Sequence, residues 1–197
     1  MKTQMRFQKI LMLVSLIVAA LTFVYALFFL TGSLGYATQY KGEYSIGAEN
    51  LVSKSQGFVD SMVVLCIIFI LLAAFMFVTS SHSRRNYYIT NYIAIGLFVA
   101  FALFLVIYII VNIVSINNIF LTEIDWEKVP AKVQELRNAY PMSKNDTYTF
   151  TVGYIMAVIL LVNAVFLVLN VVWKVLLMKG EKQLLAGAAN AQAEEVA

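Results

Sequence analysis

The residues best able to do chemistry are few and scattered. His82 is the single histidine of the chain, and it stands among Ser80, Ser81 and Ser83. A serine nucleophile needs a base that is itself held in place, and donors for the oxyanion. No acidic residue neighbours His82 in sequence, and no glycine-rich turn follows, so the stretch reads as a solvated turn. Asp60 is the one acid at the edge of an apolar run, where the dipole of a helix start favours it. The lone cysteine, Cys66, sits within an apolar run and is a small packing residue. It supports neither a disulfide nor a cysteine metal cluster. No phosphate loop, dinucleotide fingerprint, HExxH or EF-hand pattern occurs. The expectation is a protein that is not an enzyme, with no catalytic residue, no cofactor and no metal.

The elements that would position such residues are easier to read. Four apolar runs lie at about 10–30, 58–78, 93–116 and 150–172, none with a charge near its centre. Each matches the ~20 residues that a helix needs to cross ~30 Å of hydrocarbon. The chain is 61% hydrophobic and 13% charged, and its mean hydropathy is +0.82. A soluble domain of helices would keep a polar stripe on each, and these runs are apolar all round. The fold class expected is all-α, an integral membrane four-helix bundle. A net charge of +3, without basic clusters interleaved with aromatics, points away from nucleic acid.

Positive charge tracks topology instead. Lys2, Arg6 and Lys9 precede the first run, Arg84 and Arg85 lie between the second and third, and Lys174, Lys179 and Lys182 follow the fourth. The positive-inside rule puts these segments, and hence both termini, in the cytoplasm. A cleaved signal peptide is the alternative for the first run, but the run is longer than a signal core and Leu27-Phe28-Phe29-Leu30 is a poor approach to a cleavage site. It is expected to be a retained anchor. Loops without cysteine favour a bacterial cytoplasmic membrane. The domain is expected over 1–180, with a flexible cytoplasmic tail over 181–197.

Of the two outer loops, the first is rich in Gly and Tyr. The second holds a short amphipathic helix, expected over Trp126–Ala139, with Val129, Val133, Leu136 and Tyr140 on one face. Asp125 can cap it, Pro130 fits its first turn and Pro141 ends it. The outline resembles that of claudins and tetraspanins. Their loop cysteine motifs are missing here, and nothing is carried over from them.

Within the spans, small residues mark packing faces, since helices in lipid associate by close approach and hydrogen bonding. Ser15, Ala19, Thr22 and Ala26 form one stripe; Gly153, Ala157 and Ala164 form another, and pairing the two would close the bundle. Gly96 and Ala100 make a third, shorter pair. Asn163 and Asn170 lie seven residues apart on a second face of the fourth span, and Asn112 and Tyr108 lie in the outer half of the third. These four are the candidate face for a partner or a pore. Arg84, Arg85 and Lys174 are candidate contacts for lipid headgroups. The expected function is a non-enzymatic accessory or scaffold subunit of a larger membrane complex, such as a transporter. Its partners would be the bilayer and another membrane subunit. The alternative is a small oligomeric channel or carrier lined by Asn112, Asn163 and Asn170.

Overall fold

The computed structural model of the chain describes residues 2–31, 37–40, 42, 46–81, 89–135 and 141–196; the side chains of residues 2, 30 and 187–196 are outside the description. Helix α1 spans Lys2–Thr31, α2 Ala48–Ser81, α3 Ile89–Thr122, α4 Val129–Glu135 and α5 Tyr148–Val196. A 3-10 turn, Thr38–Tyr40, packs on α2. Four of the helices are long and apolar enough to cross a membrane.

Polar backbone cannot be left bare in hydrocarbon, so each apolar run closes its hydrogen bonds within itself as helix. The interior is then set by a seven-residue rhythm. In α1 the buried positions step four and three apart from Gln4 through Gln8, Leu11, Ser15, Val18, Thr22 and Tyr25 to Phe29. In α5 they step likewise from Thr149 through Gly153, Met156, Leu160, Asn163, Leu167 and Asn170 to Lys174. The same rhythm runs along α2 from Ala48 to Ser80. A heptad repeat keeps one seam facing its neighbours when helices pack at a shallow angle. The opposite faces present Ile10, Leu71, Ile107 and Val165, exposed apolar side chains suited to lipid tails.

Each long helix touches two others: α1 packs on α2 and α5, and α3 packs on α2 and α5. The first and last spans are therefore adjacent and antiparallel, with Gln4 meeting Asn170, Ser15 meeting Asn163 and Phe29 meeting Phe150. At Gly153 the helices approach closely. A Cβ there would run into Tyr25 of α1 and Ile113 of α3. Every member of the two small-residue stripes, Ser15, Ala19, Thr22, Ala26, Gly153, Ala157 and Ala164, is buried. Gly96 and Ala100 face outward from the bundle.

At the end remote from the termini, each long helix contributes a phenylalanine to an aromatic plug. Phe29 meets Phe58 at 4.8 Å and Phe150 at 6.4 Å, and Phe150 meets Phe120 at 5.6 Å. Trp126 packs edge-on against Phe120 at 4.8 Å and donates its indole N–H to the Phe120 carbonyl. The helix in the second loop begins later than the expected Trp126: it starts at Val129, one residue before Pro130, and is described to Glu135. Leu136 and Tyr140 of its proposed apolar face lie outside the described residues. The tail expected to be flexible is helical as far as Val196. Its alanines, glutamines and glutamates are good helix formers, and together they outweigh Gly180 and Gly187.

Candidate functional site

The first turns of α1 carry two glutamines into the core. Gln4 and Gln8 lie one turn apart on the stripe that continues through Ser15, and both are fully buried. Gln4 Nε2 donates to Gln8 Oε1 at 2.9 Å and to Asn170 Oδ1 on α5 at 3.2 Å. Gln8 Nε2 donates to Asn91 Oδ1 on α3 at 3.1 Å and to Ser80 Oγ on α2 at 3.4 Å. Asn91 Nδ2 in turn donates to Ser80 Oγ at 2.7 Å and to Thr79 Oγ1 at 3.4 Å. The two hydroxyls pass their own protons to the Met76 carbonyl. Lys174 completes the cluster: its ammonium donates to Asn91 Oδ1 at 2.8 Å and stands 4.4 Å from the centroid of the Tyr92 ring.

This polar clasp ties all four long helices together at the end from which both termini emerge. Asn91 is its hub, because one amide serves Gln8, Lys174, Ser80 and Thr79 at once. Buried amides of this kind are expensive unless bonded, so the clasp fixes the rotation and height of every helix relative to the others. Two halves are left over, Gln4 Oε1 and Asn170 Nδ2, which have no hydrogen-bond partner among the described residues. An acceptor and a donor of this kind suit a bridging water.

Higher in the bundle, Ser15 Oγ donates to Asn163 Oδ1 at 3.1 Å, while Asn163 Nδ2 has no partner among the described residues. Asn163 and Asn170 thus face the interior beside Ala157 and Ala164. The two faces of α5 that sequence distinguishes are adjoining parts of one buried arc. Asn112 and Tyr108 are elsewhere. Asn112 Nδ2 donates to the Tyr108 carbonyl at 2.9 Å, and both residues line a cleft between α2 and α3 together with Asn50, Ser53, Lys54 and Phe58. The four residues of the candidate partner or pore face therefore fall into two separate pairs.

The separation has a cause in helix phase. The buried positions of α3 run 91, 95, 98, 102, 105 and 109 in heptad steps, and the next step would bury Asn112. Instead the core resumes at Ile113, Ile116 and Phe120. A straight helix drifts ~20° per heptad, and after three heptads the seam has moved by most of a residue.

Lys174 corrects the expectation that it touches headgroups. The heptad of α5 carries past Asn170 to Lys174, so the side chain points inward, fully buried. Its neighbour Trp173 is exposed on the outside of the bundle, with its ring 5.9 Å from Phe7. Arg84, Arg85 and His82 lie outside the described residues. Sequence reasoning missed Gln4, Gln8 and Asn91. The signal was present for two of them: stepping back from Ser15 by three or four residues reaches 12, 8 and 4. Cys66 is buried in the core, and among the described residues no three of His, Cys, Asp and Glu gather to hold a metal.

Four apolar helices closed by a polar clasp at one end and an aromatic plug at the other define the chain as a multi-pass membrane protein of the helix-bundle class. Comparison with family models, with curated proteins and with solved structures finds no match to it.

Proposed function

We propose that the protein is a non-enzymatic accessory or scaffold subunit of a larger complex in the bacterial cytoplasmic membrane, such as a transporter, with both termini in the cytoplasm. The observation that carries this reading is the length of α5. Its 49 residues extend about 74 Å at ~1.5 Å per residue, more than twice the ~30 Å of hydrocarbon. The clasp uses α5 only as far as Lys174, and beyond Met178, which accepts from the Tyr92 hydroxyl, the helix runs on to Val196. Leu184 and Leu185 on that extension are 77% and 67% exposed. A helix held rigidly at one end and displaying leucines at the other is suited to docking in the groove of a partner.

A second feature agrees. Gly96 and Ala100 leave a small-residue notch on the outward face of α3, the surface by which one membrane helix approaches another. A channel lined by Asn112, Asn163 and Asn170 has less support, because Ser15 occupies Asn163, Gln4 occupies Asn170, and Asn112 opens sideways.

Purification from native membranes in mild detergent tests the proposal. The full chain should bring down a membrane protein in fixed stoichiometry. A chain ending at Gly180, or one carrying Leu184→Asp with Leu185→Asp, should lose it while keeping the thermal stability of the bundle. Recovery of the full chain as a lone monomer would refute the reading.

A further inference from the structure

The cleft between α2 and α3 has a volume of about 450 Å³ and opens on the side of the bundle. That is within the ~300–1,000 Å³ of ordinary ligand sites. Its upper part is polar, with Asn50, Ser53 and Lys54 from the first two turns of α2, and its lower part holds Phe58, Tyr108 and Asn112.

Helix lengths place these groups in depth. From Lys54 to the end of α2 at Ser81 is 81 − 54 = 27 residues, about 40 Å, which matches the ~40–45 Å of a bilayer with its headgroups. From Tyr92 to Asn112 on α3 is 112 − 92 = 20 residues, about 30 Å, the thickness of the hydrocarbon alone. Ser80 and Asn91 are bonded at 2.7 Å, so the two segments start level; Lys54 therefore lies beyond Asn112, at headgroup level when Asn112 stands at the hydrocarbon boundary.

The polar groups of the cleft are unspent. Among the described residues the Lys54 ammonium, the Ser53 hydroxyl and the Tyr108 hydroxyl make no hydrogen bond or ion pair, and Asn112 uses only its amide N–H on the Tyr108 carbonyl. Asn50 is braced instead, donating to Glu123 Oε2 at 2.9 Å. Three of the open groups are hydrogen-bond donors and one carries positive charge, so the complementary ligand is an anionic acceptor. Below them Phe58 stacks on Tyr108 at 5.9 Å and Tyr108 on Phe104 at 6.0 Å. Phe104 is exposed on the lipid side. The aromatic ladder therefore leads from the donors out to where acyl chains lie.

We propose that this cleft binds the phosphate-bearing headgroup of an anionic membrane lipid. The phosphate sits at Lys54 and Ser53, the glycerol and ester oxygens at Tyr108 and Asn112, and one acyl chain lies along Phe104. The site does not depend on the accessory role, and its occupant is a lipid whether or not a partner protein is bound.

The test uses the full chain in lipid nanodiscs of phosphatidylcholine containing a minor fraction of phosphatidylglycerol, with retained lipid counted by native mass spectrometry. The wild type should keep one phosphatidylglycerol in preference to phosphatidylcholine. Lys54→Glu should lower that retention roughly thirtyfold, since one basic residue at a membrane surface is worth ~1 kcal/mol and reversal doubles the effect. Tyr108→Phe should weaken it less. Lys144→Glu makes the same charge change on an exposed residue outside the cleft and should leave retention unchanged. Thermal stability equal to wild type in Lys54→Glu separates loss of the site from loss of the fold. Equal losses from Lys54→Glu and Lys144→Glu, no preference between the two lipids, or full displacement of the lipid by inorganic phosphate would each overturn the proposal, the last by showing a site for free anions.

Discussion

Lys174 holds its ammonium 2.8 Å from Asn91 Oδ1, joining two helices that are 83 residues apart in sequence at that point. The pair concentrates the risk of the whole clasp, because Asn91 also accepts from Gln8 and donates to Ser80. Removing one partner of a buried charged contact costs more than replacing the charge by an apolar group of similar shape. Asn91→Leu should therefore destabilise the bundle by about 2–4 kcal/mol. Lys174→Met should cost clearly less. Thermal unfolding in a fixed detergent ranks the two, and the reverse order would contradict the hub role of Asn91.

The Ser15–Asn163 bond offers a direct measure of what a hydrogen bond between membrane helices is worth. The double-mutant cycle of Ser15→Ala and Asn163→Leu should give a coupling of roughly 0.6–2 kcal/mol. A coupling of zero would mean that Ser15 is satisfied by its other acceptor, the Leu11 carbonyl at 2.9 Å.

Tyr25 and Gly153 form a tight crossing near the middle of the far half. The Tyr25 hydroxyl is buried without a hydrogen-bond partner among the described residues. Tyr25→Phe should leave stability unchanged or raise it, because a buried hydroxyl without a partner carries a desolvation cost. Gly153→Ala forces a methyl against Tyr25 and Ile113 and should cost about 1–3 kcal/mol. Combining the two changes should recover part of that loss in the same unfolding assay.

Gly47 turns the chain into α2 with a φ of +71°, and a Cβ there would strike the backbone carbonyl of Glu123. Beside it, Asp125 N–H donates to the Ile46 carbonyl at 3.1 Å, so the two far loops are joined at this point. Gly47→Ala should cost at least the ~1–3 kcal/mol of a strained backbone and loosen that junction. Gly42 has a φ of +88° and open space around it, so Gly42→Ala should cost less. Limited proteolysis of the second loop, faster in the first variant than in the second, is the readout.

The Asp125–Lys128 pair, 2.7 Å apart, gives the far loop a small pH dependence. The hydrogen bond from Lys128 holds the Asp125 carboxyl below its usual value, aided by its charge and by the N–H groups of Lys128 and Glu127. Asp125 raises the Lys128 ammonium above its usual value in turn. A depressed carboxyl contributes order above its unfolded pKa of ~3.9, lost as pH falls through the lower folded value. A raised ammonium contributes below ~10.4 and is lost as pH rises through the higher folded value. Both groups are open to water, so the effect is local. NMR titration of the Asp125 carboxyl should show its midpoint move up in Lys128→Met.

Much of the architecture is legible in sequence because hydropathy is a local sum. Twenty apolar residues remain twenty apolar residues whatever they pack against, and the four runs appear as helices extended by several residues at their ends. The small-residue stripes are legible for the same reason, since Ser15, Ala19, Thr22 and Ala26 announce their own face. The start of the second-loop helix was less so: Trp126 is held against Phe120 instead of opening the helix, which begins at Val129.

Hydropathy and charge along the chain specify the surroundings of the long helices, their number, and the return of both termini to one end. How the polar residues are spent emerges only from the packing of the helices. Gln4, Gln8, Asn91 and Lys174 look like ends of spans and turn out to be one interior network, while Asn112 looks like a core residue and opens into a side cleft. The reason is rotational phase. One residue is ~100° of helix, and whether a side chain meets a partner or a lipid depends on a drift that accumulates along the helix and is fixed only when four helices settle against each other.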